Sequence, residues 1–180
     1  MNVKFSTKFV AASAAAVMAL SLAGCSGGSM DDSSSSGAKA SGDSITIGTV
    51  TTNSGTAAAY GEAEVKGFEL AVSEINAKGG INGKKVKLES MDDKGDATEA
   101  SNAFNKLAGA NSVLGVLGPT ISSTTAAVAP LADQSKLPAI APAATSDSIE
   151  TGGYMFRTCF KDSYQGEIAA KFAAETLKVK

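Results

Sequence analysis

Histidine is absent from this 180-residue chain, and cysteine occurs twice, as Cys25 and Cys159. Without histidine no Ser-His-Asp or Cys-His set can be assembled, and most zinc sites lose a ligand. Two cysteines allow at most one disulfide, and none if one of them is modified, so the fold must rest on a hydrophobic core. With 43% hydrophobic residues the chain can build one. Net charge is −2, and the N-terminal lysines aside there is no basic cluster, so a nucleic-acid face is not expected. No Gly-x-Gly-x-x-Gly follows the first apolar run, which leaves a dinucleotide site without support. No repeat of solenoid period is visible. The longest apolar stretch, 9–23, is about 15 residues against the ~20 needed to span a bilayer.

That stretch follows Lys4 and Lys8 and reads as a secretory signal peptide over residues 1–24. It ends in Leu22-Ala23-Gly24-Cys25, which resembles the bacterial lipobox and marks Cys25 as a lipidation site. The plain alternative is an ordinary signal peptide with an incidental cysteine. Residues 25–43 begin with that cysteine and continue rich in Ser and Gly, a flexible tether of roughly 23 Å r.m.s. span for about 18 residues. If Cys25 is lipidated, Cys159 has no partner and reads as a small buried filler.

From Ile45 the pattern alternates between strand and helix. Ile45–Val50 is β-rich, followed by a polar loop from Thr51 to Tyr60. Val65, Phe68, Val72 and Ile75, joined by Ala71, mark the buried face of a helix that Gly79-Gly80 should stop. Lys85–Met91 alternates as a partly exposed strand does. Asp96-Ala97-Thr98-Glu99 reads as a capping box, with Ala100, Ala103, Phe104 and Leu107 as the helix's core face. Val113–Leu117 reads as a strand covered on both faces. Ser122–Gln134 reads as a helix that Pro130 should kink or end. Two extended runs, Leu137–Ala141 and Tyr154–Thr158, precede a helix over Tyr164–Leu177, and Lys178–Lys180 reads as the start of another strand. This order predicts an α/β fold: an open parallel sheet with helices on both faces and right-handed crossovers.

In such sheets ligands bind beyond the carboxyl ends of the strands. Three loops there share one chemistry: Thr51–Gly61, Gly118–Thr125 and Ala143–Ser146 are small and rich in hydroxyls. Two of them lead into helix N-termini, whose free N–H groups and partial positive charge suit an anion. None contains Lys or Arg, so a small carboxylate fits better than a phosphate. The plain alternative is that the hydroxyls only cap their helices. Asp92-Asp93 reads as loop solvation or capping rather than a metal pair. Tyr60 reads equally as core or ligand wall, and Arg157 as a surface or hinge ion-pair residue.

At these loops the chain resembles the Leu/Ile/Val-binding protein family, the solute-binding proteins of ABC transporters with the type I periplasmic-binding fold. The likeness runs from Ile45 to about Leu177. It is carried by Ser54-Gly55, Tyr60-Gly61, Ala71–Lys84, Asp92-Asp93, Gly118-Pro119-Thr120, Pro142–Thr145, Phe156-Arg157-Thr158, Asp162 and Gln165-Gly166. The resemblance implies ligand-binding residues Tyr60, Thr120, Ser122, Ser123, Ala143, Ala144 and Thr145. Ser122 would hold a ligand carboxylate, Ala143 O and the Thr145 hydroxyl would meet the ammonium and carboxylate, and Tyr60 would wall the side-chain pocket. It implies no catalytic residue, metal or cofactor. The disulfide of the best-known members is missing, its places falling at Lys94 or Gly95 and at Ile121.

The same resemblance divides the chain into the first part of an N-terminal lobe, 44–153, and a crossover with the start of a second lobe, 154–180. The expectation is therefore an extracytoplasmic protein, lipid-anchored to the cell membrane. It would deliver branched-chain or similar amino acids to an ABC permease. The alternative from another class is a ligand-sensing receptor ectodomain, and the weakest is a secreted amidohydrolase.

Overall fold

The computed structural model describes residues 44–149 and 152–179. The expected signal peptide, Cys25 and the expected tether lie outside the described residues.

Five parallel strands form one sheet in the order β2-β1-β3-β4-β5. They are β1 (Ser44–Thr51), β2 (Lys85–Asp92), β3 (Val113–Leu117), β4 (Ala139–Ala141) and β5 (Met155–Arg157). Helices α1 (Ala58–Ala77), α2 (Ala97–Gly109), α3 (Ser122–Ser135) and α4 (Asp162–Lys171) alternate with them. From β1 the chain first steps outward to β2, then returns past β1 to β3. Right-handed crossovers therefore put α1 on one face and α2 and α3 on the other. The reversal makes the carboxyl ends of β1 and β3 the switch point where a crevice opens.

The core lies on the α2/α3 face. Phe104 and Leu107 from α2, Val128, Ala129 and Ala132 from α3, and Val50, Val113 and Val116 from the sheet are all buried. Each of the larger ones contributes about 1.5–3 kcal/mol by leaving water. Asp96 caps α2 by accepting from Thr98 N and Glu99 N, but the reciprocal half of the capping box does not form. Asp96 N instead donates to Asp93 O, and Glu99 pairs with Lys94.

α1 ends as expected: Gly79 N reaches Asn76 O and Gly80 N reaches Ile75 O, the paired bonds of a Schellman stop, with Gly79 at φ 100°. α3 does not end at Pro130 and runs on to Ser135. Proline removes one N–H bond, whereas Val128, Ala129 and Ala132 pack on either side of it in the core.

The other face is less covered than the sequence suggests. Val65, Phe68, Val72 and Ile75 of α1 are half-buried and Ala71 is exposed, because α1 packs chiefly on β1 and β2. Leu117, Ile140 and Phe156 are successive register partners across β3, β4 and β5, so they share a face. Leu117 is half-buried while Ile140 and Phe156 are exposed, so β3 is fully covered on only one side. α4 continues as a π-helical turn, Phe172–Thr176, and its Tyr164, Ile168 and Phe172 are exposed. Lys178 and Val179 form no strand. Val179 N donates back to Ala173 O, and Lys178 sits at φ 50°.

Candidate functional site

The crevice is built from the loops after β1, β3 and β4. α1 begins at Ala58, so Tyr60 stands in its first helical turn and not in the preceding loop. Gly61, next to it, presses on β1: a Cβ there would lie 2.1 Å from Thr52 O. Only glycine lets the helix start this close to the strand end. The same holds across the crevice at Gly118, with φ 113° and a hypothetical Cβ 1.9 Å from Val50 O.

Thr120 is fully buried and its hydroxyl works in both directions, accepting from Thr52 N at 3.0 Å and donating to Glu64 Oε2 at 2.7 Å. Thr52 Oγ1 donates to Asp93 Oδ1 at 2.6 Å, which also accepts from Gly95 N. Asp93 is therefore a buried brace. Asp92, outside it, accepts from Asn53 N and Lys94 N. Burial opposes ionisation of Asp92, but these bonds and one from Ser54 outweigh it and hold the carboxyl below its ordinary value. Glu64 goes the other way. Burial raises its pKa, Asp93 adds repulsion, and the Thr120 bond only partly offsets them.

Ser122 opens α3. Its Oγ accepts from Ser146 N at 3.2 Å, which ties the β3 loop to the β4 loop. Neither α1 nor α3 carries a side-chain cap at its N-terminus. Thr124 and Thr125 turn their hydroxyls onto Ile121 O instead. Capping therefore does not account for the hydroxyls at these two helix starts.

A cavity of about 410 Å³ is lined by Ala57, Tyr60, Ile121, Pro142, Ala143, Thr145, Cys159 and Phe160. A second, of about 460 Å³, shares Tyr60, Pro142 and Ala143 and adds Ala59, Ala63 and Glu64. Of the residues expected at the site, Tyr60, Ala143 and Thr145 thus meet on one cavity, and Ser122 stands beside its Ile121 wall. Thr120 and Ala144 are buried within the framework, and Ser123 is exposed on α3 away from both linings.

Arg157 braces the β4 loop, donating from Nη1 to Ala144 O at 3.0 Å and from Nη2 to Ser146 O at 2.8 Å. The ion-pair reading of the sequence had missed these carbonyls. Cys159 is no buried filler. It is half-buried, lines the cavity and lies 3.2 Å from Ala144 O through Sγ. Asp93, read from the sequence as loop solvation or capping, is instead fully buried and braces Thr52, while Glu64 and Phe160 were missed. Only Glu64 left a sequence signal, being one helical turn beyond Tyr60.

Residues 44–180 match the profile of the periplasmic binding protein family. The chain belongs to that family. It is 37% identical over 138 residues to the Leu/Ile/Val-binding protein BraC3 of Rhizobium johnstonii, covering 76% of this chain and 37% of that protein. It is likewise 37% identical over 136 residues to the Leu/Ile/Val-binding protein of Escherichia coli K12, covering 74% of this chain and 37% of the relative. Among solved structures, the branched-chain amino acid transporter substrate binding protein LivJ of Streptococcus pneumoniae, in complex with isoleucine, superposes with a TM-score of 0.70. It is 41% identical, with 75% of this chain and 39% of that chain covered. The sheet and helices are thus the first-lobe region of the type I periplasmic-binding fold. The chain spans 37% of the length of these curated relatives.

Proposed function

We propose that this chain is the ligand-receiving part of a lipid-anchored solute-binding protein that collects branched-chain or similar amino acids. It hands them to an ABC transporter permease and does no chemistry. Cys25 would carry the lipid, placing the domain outside the cell membrane on its tether.

One observation carries the reading: the N-terminus of α3 has no side-chain cap and faces a hydroxyl-bearing cavity. A free amino acid needs an anion site, an ammonium acceptor and an apolar wall. Uncapped N–H groups and the Ser122 O–H, which donates to no described residue, can receive a carboxylate. The Ala143 carbonyl and Thr145 hydroxyl, each without a hydrogen bond among the described residues, offer an acceptor and a donor on the same cavity. Tyr60, Pro142 and Phe160 give the apolar wall. The relatives' names, Leu/Ile/Val-binding, support the choice of ligand.

Calorimetric titration of the full protein encoded by the gene tests it. Leucine, isoleucine or valine should bind at micromolar concentration or below, and 4-methylpentanoate, which lacks the ammonium, should bind far more weakly. Failure of every neutral amino acid to bind would overturn the proposal.

A further inference from the structure

Glu64 lies four residues after Tyr60 on α1, so the two share a helix face. It does not line the cavity that holds Thr145. It borders the adjoining one, behind the shared residues Tyr60 and Ala143. Its Oε2 takes the single hydroxyl proton of Thr120, which frees the Thr120 oxygen to accept from Thr52 N. Three segments therefore meet at one buried oxygen: the end of β1, the helix that carries Tyr60, and the loop that leads into α3 at Ser122. Ser146 N on Ser122 Oγ extends the chain of bonds to the β4 loop, and Thr52 on Asp93 extends it to the β2 loop.

The carboxylate is a poor choice for stability alone. Its Oε1 is buried with no partner among the described residues, and so is Oδ2 of Asp93. Burial and the neighbouring Asp93 both disfavour its charge. An apolar residue of similar volume would avoid that cost. What an apolar residue cannot do is accept from Thr120.

We propose that Glu64 is a positioning residue of the amino-acid site: by holding the Thr120 hydroxyl it fixes Tyr60 and Ser122 relative to one another. It acts on the ligand through those two residues without touching it. The proposal rests on the amino-acid-binding reading given above.

The test is calorimetric titration of leucine into the full protein and its variants, with urea unfolding of each as a check on folding. Glu64→Gln keeps an acceptor oxygen at the same reach and should bind within about threefold of the parent. Glu64→Asp is one methylene too short and should lose about tenfold, as Glu64→Ala does, the effect of one buried hydrogen bond to a charged group. Thr120→Val removes the bond to Glu64 and also the acceptor of Thr52 N, so the double variant should be little worse than Thr120→Val alone. Equal losses in Glu64→Gln and Glu64→Asp, unchanged affinity in Glu64→Ala, or additive losses in the double variant would each overturn the proposal. If Glu64→Ala does not fold, the contrast between Gln and Asp decides. A parent that binds no amino acid brings down the functional reading and this inference with it. A parent that binds, with variants that match it, brings down only the inference.

Discussion

The guanidinium of Arg157 donates to the Ala144 carbonyl at 3.0 Å and to the Ser146 carbonyl at 2.8 Å, bridging β5 to the loop that carries Ala143 and Thr145. Two carbonyls held by one rigid fork leave that loop little freedom. Replacing Arg157 with Ala should weaken amino-acid binding about 10- to 100-fold, since a hydrogen bond to a charged group is worth roughly 1.5–3 kcal/mol. Arg157→Lys should recover only part of this, because an ammonium is a point charge and not a fork. Calorimetry on the full protein reads the difference, and parental affinity in Arg157→Ala would show that the loop holds itself.

Ser122→Ala and Thr145→Ala should each lower affinity for leucine by about 10- to 100-fold, on the same hydrogen-bond magnitude. Tyr60→Ala should in addition change the ranking of leucine, isoleucine and valine, because Tyr60 walls the cavity. If both hydroxyl variants bind as the parent does, the hydroxyls have a local structural role only.

Gly61→Ala should destabilise the domain by about 1–3 kcal/mol, the range for forcing a methyl into packed structure. The added Cβ would fall 2.1 Å from Thr52 O, so α1 must shift off the end of β1. Urea unfolding measures the loss. Gly67→Ala on the same helix, where a Cβ meets nothing within 4 Å, should be neutral or stabilising and serves as the control.

Asp147 holds the start of α4 from a distance. Its carboxylate accepts from Ser163 Oγ at 2.6 Å and from Ser163 N at 3.1 Å. The Ser163 hydroxyl is the main reason its pKa is lowered. A depressed carboxyl pKa means stability that is present above the unfolded value and lost as pH falls through the folded one. At neutral pH, Asp147→Ala should therefore speed hydrogen exchange at the Ser163 amide. In acid below the lowered pKa, variant and parent should exchange alike. A gap that persists there would assign the effect to packing and not to charge.

Cys25→Ser should move the protein from the membrane fraction to the soluble one, because stable anchoring takes two lipid signals and the variant would carry none. Mass spectrometry of the mature N-terminus gives the decisive reading. A mature chain that starts anywhere other than a lipid-bearing Cys25 would rule the anchor out.

The sequence alone determined the order of strands and helices, the Gly79-Gly80 stop, the Asp96 cap and the core face of α2. These depend on residues within one or two helical turns of each other, and a linear pattern records such distances. Tertiary structure decided the rest. Pro130 does not end α3, because packing against α2 offsets one missing bond, and no local rule carries that comparison. Glu64 and Thr120 are 56 residues apart, and Thr52 and Asp93 are 41 apart. Arg157 looks like a surface cation until β5 pairs with β4 and brings two carbonyls within its reach. A buried polar group must find its partner wherever the fold places one, so side chains that brace a site across the sheet become visible only once the strands are in register.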